Sequence, residues 1–355
     1  MKIRGFITHK QAESYSDCAD YFAINRKSRK IAVSDGISQS FSPSEWSRIL
    51  VQSYIEDKWK PGQDLKPLQS QWLKEVHSNL NKLQKQGAVT YMMENMIDER
   101  ESAGATFCGL SFDGSYNWVC NVLGDSALVK LSGGRKSIEI FSSQNGPFNN
   151  RPDYFDSYAS KPVGELKSFK DNLKKGDVLL VVSDPFSELL QKSIENKTEG
   201  QIVDKILSVR NQDDFCSMVE SLRTDFGMHN DDSTLVIIES DGSKDFNIEQ
   251  IVMLDELIVK EQQKTEAQEV RYETHAKETD KNEPMIESQS EARIRKYKLE
   301  SIKETAWSVF LRCYYEKKKS WLPKKIKNRN IRRKASVIKS FFDYFWSELI
   351  KELKS

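Results

Sequence analysis

Residues 31–36 read Ile31-Ala32-Val33-Ser34-Asp35-Gly36, and the chain goes on to Phe41-Ser42-Pro43-Ser44-Glu45-Trp46. An apolar, β-branched run that stops on Asp-Gly marks the end of a strand, because aspartate is disfavoured inside strands and Asp-Gly favours a turn. Ser42 then offers an N-cap hydroxyl, Pro43 a first helical residue and Glu45 a carboxylate for a capping box, so a helix is expected to begin there. Trp46, Ile49, Leu50 and Tyr54 give that helix one apolar face. Upstream, Asp20 to Asn25 and Lys30 to Ser34 are strand-like runs around the polar turn Arg26 to Arg29, which reads as a hairpin.

Downstream, Leu68, Trp72, Val76, Leu80 and Leu83 recur at helical spacing and mark a second amphipathic helix. Ala105 to Phe112 and Asn117 to Leu123 flank Asp113-Gly114-Ser115-Tyr116, and Gly133-Gly134 separates Ala127 to Leu131 from Ser137 to Phe141, so two more hairpins are expected. Between Ser142 and Lys167 the chain is rich in Asn, Ser, Pro and Gly, the composition of a long surface loop or flap. Asp177 to Ser183 is the most apolar strand, Phe186 to Glu195 begins a helix, and Thr234 to Glu239 is a last strand. The class is α+β with antiparallel neighbours.

The 355 residues, 38% hydrophobic and 30% charged, are enough for two domains or for one large domain with an appendage. No stretch reaches the roughly 20 apolar residues a bilayer crossing needs, and Met1 to Gly5 lacks the apolar run of a secretory signal. Five scattered cysteines without a CxxC pair read as reduced thiols, so a cytoplasmic protein is expected. Residues 291–355 hold 19 Lys plus Arg against 7 Asp plus Glu, a net +12; with +1 overall, residues 1–290 carry −11. The expected organisation is a domain over 1–240, a charged, partly helical linker over 241–290, and a basic helical extension over 291–355.

Aspartates fall where strands end. Asp35 follows Ile-Ala-Val-Ser, Asp125 follows Val-Leu-Gly, Asp184 follows Leu-Leu-Val-Val-Ser, and Asp231-Asp232 precede Thr234-Leu235-Val236-Ile237-Ile238. In antiparallel sheets one strand's C-terminal end lies beside its neighbour's N-terminal end, which brings these positions to one edge. Asp20, opening the first hairpin, joins them. Singly each is an ordinary turn residue or cap; together they repel unless cations lie among them. All-oxygen ligands favour Mg2+ or Mn2+, and two such ions suit the hydrolysis of phosphate esters.

These segments resemble the metal-dependent protein phosphatases of the type 2C serine/threonine family, and within it a bacterial subgroup. The resemblance covers residues 1–240 through Asp20-Tyr21-Phe22, Val33-Ser34-Asp35-Gly36, Gly104-Ala105-Thr106, Gly124-Asp125-Ser126, Ser183-Asp184 and Asp231-Asp232-Ser233-Thr234. It implies a four-layer α-β-β-α sandwich of two antiparallel sheets flanked by helices; the small helical region expected after it, read from residues 291–355, is not part of the resemblance. The resemblance also implies that Asp35 bridges two Mn2+ or Mg2+ ions, that the Gly36 carbonyl binds one, and that Asp184 and Asp231 complete the ligand set of the second ion. Asp20 would hold metal-bound water and Asp125 a third, looser ion. Phosphoserine and phosphothreonine in proteins would be hydrolysed directly by the bridging water, with Asp35, Asp184 and Asp231 acting through it and no phosphoenzyme.

Three positions depart from the family pattern: Ala19 stands where a glutamate is usual, with Asp17 or Glu13 to compensate; Pro185 follows Asp184 in place of glycine; and His9-Lys10 stands where the family has a phosphate-binding arginine. These departures leave two other readings, a catalytically weakened signalling or scaffold module and a nucleic-acid-tethered regulator. The basic band from Lys317 to Lys334, interleaved with Trp321, suits an acidic protein, nucleic acid or an anionic membrane surface, and a cognate kinase is a further expected partner. Of the four histidines only His229 is placed near the cleft, Ser126 lacks the elbow pattern of a nucleophile, and no nucleotide-binding signature occurs.

Overall fold

The computed structural model describes residues 1–279 apart from 88–89, 115, 135–136 and 145–151. The extension expected over 291–355, its basic band and the end of the linker lie outside the described residues. The chain divides into a unit from Met1 to Glu269 and a second from Val270 to Ser355, of which only helical residues up to Thr279 are described.

In the first unit β1 (Lys2–Thr8) leads through a 3-10 turn (Tyr15–Asp17) into the hairpin of β2 (Tyr21–Asn25) and β3 (Lys30–Ser34). Asn25 shapes the turn, its Oδ1 accepting from the amides of Lys27 at 2.9 Å and Ser28 at 3.2 Å. Helices α1 (Pro43–Ile55), α2 (Lys66–Lys85) and α3 (Tyr91–Asp98) precede β4 (Gly104–Ala105), β5 (Phe107–Phe112), β6 (Asn117–Leu123), β7 (Ala127–Ser132) and β8 (Ser137–Phe141). Then come β9 (Phe155–Asp156), β10 (Lys167–Asn172), β11 (Val178–Val182), α4 (Asp184–Asn196), α5 (Glu199–Ser208) and α6 (Gln212–Phe226). The described chain closes with β12 (Ser233–Glu239), β13 (Asn247–Ile251) and α7 (Leu254–Thr279).

Eleven of these strands form two sheets, ordered β13-β1-β12-β11-β7-β8 and β10-β6-β5-β3-β2. α1 covers β2 and β3 with α2 against it, while α4 and α6 cover β7, β12 and β1; β11 meets β3 between the sheets. The layers are therefore α-β-β-α, as expected. One pairing departs from the antiparallel rule: β13 runs parallel to β1 at the sheet edge. All five residues of β11 are buried, which accounts for its unbroken apolar run in the middle of a covered sheet. Trp46 donates from Nε1 to the Phe155 carbonyl at 2.8 Å and so ties α1 to β9, while Trp59 packs edge-on against Phe107 and Phe155.

Several local expectations change. The capping box at Ser42 does not form: Ser42 sits at φ 52°, its side chain caps nothing, and Glu45 instead accepts from Ser44 and from Asn79 of α2. The flap over 142–167 contains β9, paired with β4, and a bridge between Tyr154 and Val163. Within the stretch expected as a partly helical linker, residues up to Ile251 form β13 and a helix starts at Leu254. The boundary expected at 240 falls inside the compact unit, because the Met1 ammonium donates to Asp241 Oδ1 at 2.8 Å and to the Asp245 carbonyl at 2.8 Å, while Phe246, Val252, Leu254 and Leu257 are buried.

Each such side chain contributes roughly 1.5–3 kcal/mol on burial. A chain ended at residue 245 should therefore melt at least about 10 °C below one ended at 269. Calorimetry of the two proteins checks this, and a shift under about 2 °C would show β13 and the start of α7 to be dispensable.

Candidate metal centre

Four of the strand-end aspartates open on one cleft of about 380 Å³. Asp35, Gly36, Asp125, Asp184 and Asp231 line it, together with Ile37, Ser38, Gln39, Thr106, Pro152, Glu188 and His229. Among the described residues no lysine or arginine belongs to this lining.

Each carboxylate has its own anchor. Asp35 leaves β3 with its carbonyl accepting from Thr106 N at 2.8 Å and its amide donating to Thr106 Oγ1 at 3.3 Å. The Thr106 hydroxyl also pairs with Ser126 Oγ at 2.7 Å, so one threonine links the segments of Asp35 and Asp125. Gly36 must be glycine, because a Cβ there would meet Pro43 Cβ at 2.8 Å and the Ala19 carbonyl at 2.9 Å. Gly124, at φ +94°, turns the chain from β6 into Asp125, whose carbonyl accepts from Ser187 Oγ of α4 at 2.7 Å. Asp184 is the first residue of α4, with Ser183 as N-cap and Pro185 in the first turn. That turn has no use for an amide donor at Pro185, so the proline is compatible with the helix start.

Asp20 does not line the cleft. It is 1% exposed, its Oδ2 accepts from the Thr234 hydroxyl at 2.7 Å, and its Oδ1 has no hydrogen-bond partner. Asp125 Oδ1 is likewise buried and unpartnered. Of the adjacent pair, Asp231 lines the cleft while Asp232 accepts from two backbone amides away from it.

Burial and mutual repulsion raise these acids. Asp20 is pushed up to about 8 by burial and then by Asp232, and Asp125 to about 6, chiefly by burial. Asp35 and Asp184 rise well above the carboxylate range, through burial and then through Asp184 acting on Asp35 and Asp125 on Asp184. Among the described residues no three His, Cys, Asp or Glu side chains already stand as a closed ligand set. The carboxylates share a cleft without yet converging on a point.

Two further residues of the wall had weak signals in the sequence. Glu188 lies one helical turn beyond Asp184; it accepts from Lys192 Nζ at 2.6 Å and stands 3.9 Å from His229 Nδ1. Neither Asp17 nor Glu13 stands in for the missing carboxylate at 19: Asp17 accepts from the amide and hydroxyl of Ser14, and Glu13 pairs with Lys10. Lys10 Nζ also lies 3.9 Å from Asp231.

No protein-family model matches the chain, and no curated protein matches it. Solved structures resemble it. The serine/threonine phosphatase of S. agalactiae is 17% identical at TM-score 0.43, covering 67% of this chain and 98% of that one. The serine/threonine phosphatase Stp1 of Staphylococcus aureus is 15% identical at TM-score 0.43, covering 67% and 95%. The catalytic domain of the serine/threonine phosphatase PstP, solved in complex with two manganese ions, is 14% identical at TM-score 0.41, covering 66% and 96%.

Carboxyl groups raised in the folded state bind more protons there than in the unfolded chain, so metal-free stability falls as pH rises from about 4 through the folded values. With Asp125 at about 6 and Asp20 at about 8, the metal-free melting temperature should drop steadily between pH 5 and 8. Asp184→Asn should flatten that slope. A metal-free melting temperature that rises over the same range would contradict the crowding of these acids.

Proposed function

We propose that this chain is a metal-dependent phosphoprotein phosphatase of the type 2C class, hydrolysing phosphoserine and phosphothreonine monoesters with Mn2+ or Mg2+. The observation that carries the reading is the meeting, at one cleft, of aspartates from the ends of β3, β6 and β11 and the start of β12. The donor chemistry fits hard divalent ions: every carboxylate supplies oxygen, and two buried oxygens, Asp20 Oδ1 and Asp125 Oδ1, lack any protein donor.

Asp35, the Gly36 carbonyl, Asp184 and Asp231 would hold two ions, with Asp20 behind them and Asp125 beside a third. Bound ions of this kind activate water and neutralise the charge of a phosphoryl group under in-line attack. The protein's own part is placement. Thr234 orients Asp20, Thr106 fixes the backbone of Asp35, and Ser187 fixes that of Asp125. The positive end of α4 lies beside Asp184 and offsets part of the like-charge repulsion there. Ile37 and Pro152 add apolar wall to a cleft that is otherwise acidic and polar. Among the described residues no helix is long and apolar enough to cross a membrane.

Purified protein with Mn2+ should release phosphate from a phosphoserine peptide, a chelator should stop it, and Asp184→Asn should lower turnover by at least about a hundredfold while the circular dichroism stays native. Absence of turnover with Mn2+ and with Mg2+ would reject the reading, and an unimpaired Asp184→Asn would reject the site.

A further inference from the structure

Between β1 and β2 the chain forms a strap, residues 9–19, tied near both ends to the residue before β12. One side chain joins its two ends. Asp232, 3% exposed, accepts from Lys10 N through Oδ1 at 3.0 Å and from Ala19 N through Oδ2 at 2.7 Å, so one carboxylate spans two amides nine residues apart. Both ends of the strap matter to the cleft. Ala19 precedes Asp20, and Lys10 brings its ammonium to 3.9 Å from Asp231. The Asp232 amide itself donates to Asp231 Oδ1 at 2.9 Å. Arg223 adds a second tie from its Nη2, donating to the Asp231 carbonyl at 2.7 Å and reaching the His9 carbonyl at 3.4 Å. Beside the first of these ties Gln11 N donates to Asn230 Oδ1, and in the middle of the strap Tyr15 N donates to Glu261 Oε2 of α7, each at 2.9 Å.

We propose that Asp232 is a positioning residue: by gripping the amides of Lys10 and Ala19 it sets where Asp20 and Asp231 present their oxygens to a divalent cation. This rests on the reading of the cleft as a cation site. The side chain has to be a carboxylate. Only a carboxylate offers an acceptor on both sides, whereas an asparagine of the same shape turns an NH2 group toward one of the two amides. Groups that orient ligands from behind typically change metal affinity about 10- to 100-fold when removed. Asp232 stands in that relation to two of the assigned carboxylates without lining the cleft.

The full chain, stripped of metal and titrated with Mn2+ by calorimetry, tests the role without reference to activity. Wild type should bind Mn2+, Asp232→Asn should bind about tenfold more weakly, and Asp232→Ala up to about a hundredfold more weakly. Glu261→Ala, which frees only Tyr15 N in the middle of the strap, should stay within about twofold of wild type. Turnover of a phosphoserine peptide by Asp232→Asn should recover at saturating Mn2+, so that the defect lies in the Mn2+ needed and not in kcat; a purely structural lesion would lower kcat at every Mn2+ concentration and would overturn the proposal. If Asp232→Ala fails to fold, the asparagine variant, which keeps the shape, decides alone. Wild type binding Mn2+ while both Asp232 variants bind it equally well would remove the positioning role only. Wild type binding no Mn2+ would remove the cation site and this inference with it.

Discussion

The cleft is organised around a repulsion. Two like charges 4 Å apart cost about 4 kcal/mol at an effective dielectric of 20, and whole domains are stable by only about 5–15 kcal/mol. Asp35, Asp125 and Asp184 are desolvated near one another with Asp20 buried behind them, and among the described residues no lysine or arginine lines the cleft. A sandwich that gathers them must meet this cost by protonating them or by admitting cations. The raised carboxyl values are the first response, and the oxygens without protein partners leave room for the second.

What keeps the acids in place despite the repulsion is a set of neutral hydrogen bonds to the backbone around them. Thr106, Ser126 and Ser187 join β3, β5, β6 and α4 through hydroxyls, and Ser183 accepts from the Thr234 amide across the ends of β11 and β12. Hydroxyls suit this work because they donate and accept without adding charge. Behind them stands an apolar framework that does not depend on the cleft: β11 in the middle of its sheet, Trp46 reaching β9, and Trp59 among Phe107 and Phe155. The site is thus an edge feature on a core that would pack without it.

That division explains which features were legible in the sequence. Strand-end aspartates are visible because aspartate interrupts an apolar run, and the hairpins at Asp113-Gly114 and Gly133-Gly134 announce themselves by turn chemistry. Long-range events leave no such mark. The parallel pairing of β13 with β1 joins residues some 245 positions apart and is set partly by the Met1 ammonium, so nothing local at 247–251 signals it. Ser42 had the composition of a cap, yet its left-handed backbone leaves the hydroxyl without a helix amide to bind. That Asp231 and not Asp232 faces the cleft also has no local signal, since adjacent aspartates differ only in which way the backbone turns them.

The departures at 19 and 185 have a common physical reading. Pro185 occupies a helix turn whose amides have no helical acceptor, so the donor it lacks is one the structure never uses. Position 19 acts through its main chain: its amide donates to Asp232, and its carbonyl accepts from Ser47 Oγ at 2.7 Å and from Gly36 N at 3.2 Å. Three bonds fix the backbone immediately before Asp20, and none of them involves the side chain. The Gly36 bond carries the constraint directly across to the residue after Asp35. A methyl group at 19 therefore leaves these three bonds, and the backbone they hold beside both carboxylates, intact.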